Sequence, residues 1–588
     1  MDRAVSTTAC DMLTLRAESD PEALAYVDGD HEWSWSAART VVREAAAGLI
    51  ALGVEPSKTV GLLLANRVEH ILGDLAALHI GACTTSVYAT ASDDQLRHIS
   101  EDSDIGTLIL DSIGLERFRA TLASMTSLRL IVLTDDVSEP GDLDCRVITW
   151  SGLLELGRSS NDVAVQIDPD APAVLIYTSG TTGPSKGVPL THRQLVAACE
   201  SASQHFSLPT NPRFLSYLPL AHIAERVCSL YLPLHLGGTT AFCADMNDLL
   251  PSLQRTKPTM FFGVPRVWEK IRSSLTVKLS EVGEEQRRAV DQAMSDARTV
   301  ALARLNSESV DPEMESRARE ADQGLFAMIR AGLGLDQCAH AVTGGAPLSP
   351  DVQEFFLALG IPLHQVYGLS ETCGATVSHR PGRIKIGTVG EPLPGVEIRI
   401  DDDGEILIRS PFNTSGYRGL SNEALFTDDG YLRTGDVGTI DGDGFLSVTD
   451  RKKELIITAG GKNIGPNNIE ARLLRSSLIG QALVYGDNRR YLVALVTLDP
   501  EETQRWLTSR GVSTASDPAG HPLVAEEIER AVAVANRAVS RVEHIKKWAV
   551  LPSEWTVDRG ELTPTMKLKR RTLHSNYRNE IEEMYGEP

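Results

Sequence analysis

Residues 171–187 read APAVLIYTSGTTGPSKG. The first seven are apolar apart from one phenol and have the length of a buried strand. The next ten, 178–187, hold only threonine, serine, glycine, one proline and one lysine. Two internal glycines let backbone N–H groups approach an anion with no Cβ in the way. The hydroxyls are donors or metal ligands, and Lys186 adds a point charge. Residues 191–194 then read THRQ, a capping box ahead of an apolar run, which predicts a helix start. The expected order is strand, polar loop, helix. A Walker A loop needs Ser or Thr directly after Gly-Lys, whereas Gly187 follows Lys186 here, so a P-loop NTPase is disfavoured.

Upstream, helical spacing over 36–52 and 67–80 alternates with strand-like runs at 59–64, 106–111 and 129–134. This alternation predicts an α/β fold with a mostly parallel sheet. Residues 270–330 are rich in Glu, Arg and Ala, with Val290, Met294, Ala297, Ala301 and Leu305 at helical spacing. They predict a surface helical excursion with one buried stripe; a membrane- or partner-facing helix is the alternative. Past 388 come short alternating strands at 396–400, 405–408, 445–449 and 454–458, with a DGDG turn at 441–444. A smaller α+β unit with apolar runs at 481–485 and 491–497 follows. The expected division is a large N-terminal domain, 1–451, with mostly parallel sheets and a β-rich subdomain, and a small mobile C-terminal domain, 452–588.

At 588 residues the chain exceeds one ordinary core. Its formal charge is −22, from 57 basic and 79 acidic residues. That balance argues against nucleic acid as a partner but leaves room for a small anion held locally. Eight scattered cysteines form no CxxC pair, so neither zinc nor a disulfide frame is indicated, and a reducing cytoplasm is the expected compartment. No window approaches the roughly 18 apolar residues of a spanning helix. The expectation is a soluble protein, at most peripheral at a membrane.

The run 177–188, YTSGTTGPSKGV, resembles the first core motif of the ANL adenylate-forming superfamily, which includes acyl-CoA synthetases, nonribosomal peptide adenylation domains and luciferases. Seven more stretches resemble its motifs in order: YLPLAHIAE at 217–225, FGVPRVWEKI at 262–271, TGGAPL at 343–348, QVYGLSET at 365–372, YLRTGDVG at 431–438, DRKKELIITAGGKNI at 450–464 and LTPTMKLKR at 562–570. The forms at 217–225 and 262–271 are similar to those of long-chain fatty acyl-CoA synthetases.

The resemblance implies ATP, Mg²⁺ and CoA as reaction partners and a fatty acid as substrate. Thr178, Ser179, Gly180, Thr181, Thr182, Gly183 and Lys186 would cradle phosphates, and His222 would gate the acyl pocket. Residues 262–271 would wall that pocket or pack the core. Gly345, Ala346, Pro347, Tyr367 and Gly368 would hold adenine, and Ser370 would meet the α-phosphate. Glu371 and Thr181 would hold Mg²⁺. Asp436 would accept from the ribose hydroxyls, Arg451 would reach ribose or phosphate, Lys453 would be the hinge, and Gly460 and Gly461 would line the CoA channel. Lys567 would bridge carboxylate and α-phosphate, with Lys569 as competitor, because Met566 stands where many relatives have glycine. Two rivals remain at this point: a fatty acyl-AMP ligase that loads a carrier protein's phosphopantetheine, and a degenerate nucleotide-binding protein.

Overall fold

The computed structural model describes residues 6–135, 143–160, 165–178, 184–209, 211–459, 462–512, 517–563 and 566–586. The largest sheet has seven strands. In spatial order they are Arg146–Thr149, Leu130–Leu133, Ile105–Leu110, Thr59–Leu63, Cys83–Ser86, Pro172–Thr178 and Lys186–Thr191. The first six run parallel, and the last returns antiparallel on its neighbour. A parallel sheet is covered on both faces, which is why Thr59–Leu63 is buried at every position.

Here the expected order needs a correction. The polar loop ends sooner than residue 187, because Lys186–Thr191 is a strand. The helix His192–Phe206 begins only after it, on the predicted Thr191–Gln194 capping box. Thr178 and Lys186 face each other across this hairpin. The anion loop therefore joins two strands, and the helix N-terminus lies a strand away. Pro189 is tolerated because this is an edge strand, with a ladder partner on one side only.

A second sheet runs Met260–Gly263, His340–Gly344 and Leu363–Leu369 in parallel, then adds Gly374–Ser378 and Glu391–Pro392 antiparallel. The excursion between them is helical: Pro265–Ser280, Glu284–Leu305, Pro312–Ala321 and Ala327–Gly332. Of the expected stripe only Ala297 is buried, joined by Val300 and Ala303. The same face buries the carboxylate of Asp296, which Arg317 meets at 2.7 Å. Trp268 is fully buried in edge contact with Phe261 and Phe356, so core packing decides the reading of that residue.

Four antiparallel strands follow: Glu397–Ile400, Glu405–Arg409, Leu432–Ile440 and Leu446–Arg451. The strand expected at 454–458 shrinks to Ile456–Ile457, paired with Asn463–Ile464. Beyond it, Ile479–Tyr485, Leu492–Leu498 and Ile545–Leu551 form a small mixed sheet. Its two apolar clusters draw only on residues from 456 onward. Ion pairs Arg266–Asp499, at 3.0 Å, and Arg475–Asp351 join this part to the rest. Among the described residues no helix is long and apolar enough to cross a membrane.

One buried charge cluster fixes the middle of the molecule. Arg226 is completely inaccessible and pairs with Asp74, itself 1% exposed. The guanidinium also donates to Ser86 Oγ at 2.7 Å, Thr84 Oγ1 at 3.1 Å and the Tyr231 hydroxyl. Burial pushes the Asp74 pKa up, and Arg226 opposes it. The cluster ties helix Val68–His79 and strand Cys83–Ser86 to the short helix Ile223–Arg226, whose N-cap is His222.

Candidate active site

Parallel α/β sheets leave their ligand crevice at the carboxyl ends of the strands. Three predicted stretches sit at such ends. Gly345, Ala346 and Pro347 are exposed just past strand His340–Gly344. Tyr367 and Gly368 close strand Leu363–Leu369, and Ser370 opens the turn Ser370–Thr372 that carries Glu371. Gly368 is needed there because a Cβ would fall 1.8 Å from the Gly374 carbonyl oxygen. Thr178 ends strand Pro172–Thr178.

Asp436 and Arg451 lie opposite each other on neighbouring antiparallel strands. Arg451 Nε meets Asp436 Oδ1 at 2.9 Å, and the Tyr367 hydroxyl donates to Oδ2 at 2.7 Å. Burial raises the Asp436 pKa, against the pull of Arg451 and the Tyr367 bond. A carboxylate has about four lone-pair sites, so Asp436 keeps acceptor capacity for vicinal hydroxyls.

Lys567, from the far end of the chain, acts on this group through its field. The residue is exposed, yet the protein around its ammonium lowers its pKa. Arg451 lowers it further, while Asp436, Glu454 and Glu371 oppose. The pKa of His222 falls to about 4, first through burial and then through Lys567. His222 is therefore neutral at pH 7, and its Nδ1 accepts from the Ala224 N–H at 3.2 Å. Lys567 is thus within electrostatic reach of residues 222, 371, 436 and 451. Lys569, its competitor, is the N-cap of helix Arg570–Asn576. Met566 adopts φ +62°, the left-handed region that favours glycine.

Ser179, Gly180, Thr181, Thr182 and Gly183 lie outside the described residues, as do Gly460 and Gly461. The stem of the anion loop is described. The Tyr177 hydroxyl donates to Asp102 Oδ2 at 2.5 Å, His98 Nε2 lies 2.8 Å from the Ser185 carbonyl oxygen, and Arg418 Nε donates to the Asp102 carbonyl at 2.7 Å. Helix Asp93–Ser103 therefore braces both flanks of the loop, a role sequence reasoning missed. Lys186 lies 4.6 Å from the centroid of the Tyr417 ring. Lys453 is exposed. Its neighbour Lys452 pairs with Asp403 and Glu405.

Glu371 suits a hard cation. One oxygen accepts from the Tyr417 hydroxyl at 2.7 Å, and among the described residues no donor reaches the other. Oxygen ligands of this kind suit magnesium. A second acidic cluster, Asp401, Asp403 and Glu405, differs in kind, because Lys452 and Arg433 already neutralise it.

Known proteins are similar to this chain along nearly its whole length. A long-chain-fatty-acid–CoA ligase of Mycobacterium bovis, FadD15, is 37% identical over 96% of this chain and 95% of its own length. A mouse long-chain-fatty-acid–CoA ligase, ACSBG1, is 32% identical over 93% and 81%. Among solved structures, the adenylation domain of a Mycobacterium chelonae carboxylate reductase aligns with a TM-score of 0.78, at 22% identity over 100% of this chain and 92% of that one; the likeness carries the fold. The family model for the AMP-binding enzyme matches residues 13–418, and that for the AMP-binding enzyme C-terminal domain matches 453–588. The chain belongs to the AMP-binding enzymes.

Proposed function

We propose that this chain activates a long-chain fatty acid with ATP and passes the acyl group to CoA. The feature that supports the reading best is the cluster of Asp436 with Arg451 at 2.9 Å and the Tyr367 hydroxyl at 2.7 Å, with Lys567, from the far end of the chain, in its field.

A carboxylate acylates poorly because its leaving group would be oxide. Attack by a carboxylate oxygen on the α-phosphorus of ATP expels pyrophosphate and leaves a mixed anhydride. Charge builds on phosphate oxygens, so the work of the protein is positioning and electrostatic stabilisation. Lys567 offsets the repulsion between substrate carboxylate and α-phosphate. Lys186 meets the outgoing phosphates beside the hydroxyl-rich loop 178–183. Asp436 and Arg451 fix the ribose, Gly345, Ala346, Pro347, Tyr367 and Gly368 the base, and Ser370 the α-phosphate. Mg²⁺, held by Glu371 and Thr181, would neutralise phosphate charge. Neutral His222 lies at the acyl end, where an imidazolium would attract the carboxylate away from phosphorus.

In the second step the CoA thiolate attacks the acyl carbon and AMP leaves. Lys567 must withdraw to admit the thiol, so the unit from about 452 onward turns near Lys453, with Gly460 and Gly461 then lining the thiol's path. Such gating motions are common in enzymes.

The named relatives support a long acyl chain and CoA as acceptor. A panel of acids from hexanoate to stearate, with benzoate and salicylate added, tests this through CoA-dependent AMP release without any carrier protein. The highest kcat/KM is expected with the long straight chains. Preference for the aromatic acids, or release that requires a carrier protein, would overturn the reading.

A further inference from the structure

We propose that Tyr417 is a positioning residue that sets both the metal-binding carboxylate and the phosphate lysine; the proposal rests on the reading of Glu371 and Lys186 given above. The hydroxyl of Tyr417 donates to Glu371 Oε1 at 2.7 Å. The face of the same ring carries Lys186 Nζ at 4.6 Å from its centroid. One side chain thus holds two charges of opposite sign, one through its edge and one through its face. Burial and the Glu371 charge raise the phenol pKa, so the hydroxyl remains a donor at neutral pH.

The surroundings fix the ring. The Tyr417 N–H donates to Asn422 Oδ1 at 2.9 Å. Gly416 before it has φ +142°, and a Cβ there would lie 2.0 Å from the Asn422 side chain. The Thr414 N–H donates to the Glu371 carbonyl, and Thr414 Oγ1 to the Pro189 carbonyl, both at 2.7 Å. The Arg418 N–H donates to the Gly187 carbonyl at 2.9 Å. Residues 414–418 therefore bridge the turn bearing Glu371 and the edge strand bearing Lys186. With Oε1 held, the carboxylate does not spin, and Oε2 is left for the cation. With a ring beneath it, the lysine gains a cation–π contact and loses rotamer freedom before the nucleotide arrives.

The test is calorimetric binding of the non-cleavable α,β-methylene analogue of ATP to the full chain, with Mg²⁺ and again with EDTA. Tyr417→Phe keeps the ring and removes the hydroxyl. It is expected to lower the metal-dependent gain in affinity about tenfold, the scale of one hydrogen bond to a charged group, with the EDTA affinity and Tm unchanged. Tyr417→Ala is expected to weaken binding in EDTA as well, because Lys186 loses its seat. Glu371→Gln is expected to abolish the metal-dependent gain. A wild-type gain in Tyr417→Phe alongside its loss in Glu371→Gln would overturn the positioning role and leave the metal reading standing. A wild-type gain in Glu371→Gln would overturn both. Equal weakening of Tyr417→Phe with and without metal would mark the residue as structural only and overturn the proposal.

Discussion

Lys567→Ala is expected to slow acyl-AMP formation about 10²–10³-fold, the usual cost of removing one preorganised charge-stabilising donor, while thioester formation from supplied acyl-AMP stays near wild type. The asymmetry follows from geometry. Lys567 lies in the field of Asp436, Glu371 and Arg451, where the proposed function puts the nucleotide, and close enough to His222 to lower its pKa. On that proposal it is the place where two anions, substrate carboxylate and α-phosphate, would meet. Once the anhydride exists, the repulsion is gone and the lysine obstructs the thiol. Fatty-acid-dependent exchange of labelled pyrophosphate into ATP measures the first step. Mixing synthetic acyl-AMP with CoA measures the second. Loss of both steps together would mean that the substitution damaged the fold or that Lys567 is no partner of the phosphate. Lys569→Ala supplies the contrast: it is expected to keep the first step, because Lys569 stands at the N-cap position of helix Arg570–Asn576 and, unlike Lys567, does not act on Asp436 or His222.

The largest expected effect on stability comes from Asp74→Ala. It leaves the Arg226 guanidinium inaccessible and without its counter-charge, a loss of about 3–5 kcal/mol for a broken buried pair. The denaturant midpoint should fall accordingly, with an unchanged m-value. The pair is not stabilising in itself, because desolvation consumes most of its Coulomb energy. Replacing both partners, Asp74→Leu with Arg226→Met, is therefore expected to restore most of the loss. His222 caps the helix that ends at Arg226, so the single variant should also raise KM for the acid, and the double variant should only partly correct this. A midpoint for Asp74→Ala within experimental error of wild type would show that Arg226 finds another partner and that the cluster does not hold the segment.

What the sequence made legible followed local physics. Thr191 and Gln194 announced their capping box through spacing alone, and the helix starts there. The run at 171–177 was long and apolar enough to read as a strand, and it is one. The strand Lys186–Thr191 was missed because KGVPLT contains both Gly and Pro, which ordinarily argue against a strand; its place at the sheet edge, which a linear reading does not supply, removes the objection. The pair at 456–457 is too short to carry a pattern, since two strand residues expose no alternation. Tyr417 was out of reach for a different reason. Its partners lie 46 residues away at Glu371 and farther still at Lys186, and a GYRG stretch reads as a turn. Asp74 and Arg226, 152 residues apart, were hidden in the same way, inside an apolar helix and behind a motif read for its histidine. Long-range pairs of charged or phenolic groups leave no periodic trace.

In the proposed first step a carboxylate oxygen becomes bonded to the phosphorus of AMP, and isotope transfer follows that bond. Palmitate labelled with ¹⁸O in both carboxyl oxygens is turned over with ATP and CoA, and the phosphorus products are read by mass spectrometry. Attack on the α-phosphorus leaves one labelled oxygen in each AMP when the thiol displaces it, with pyrophosphate unlabelled. Label in orthophosphate, or AMP free of label while acyl-CoA accumulates, would contradict the adenylate and with it the role given to every residue of the cleft.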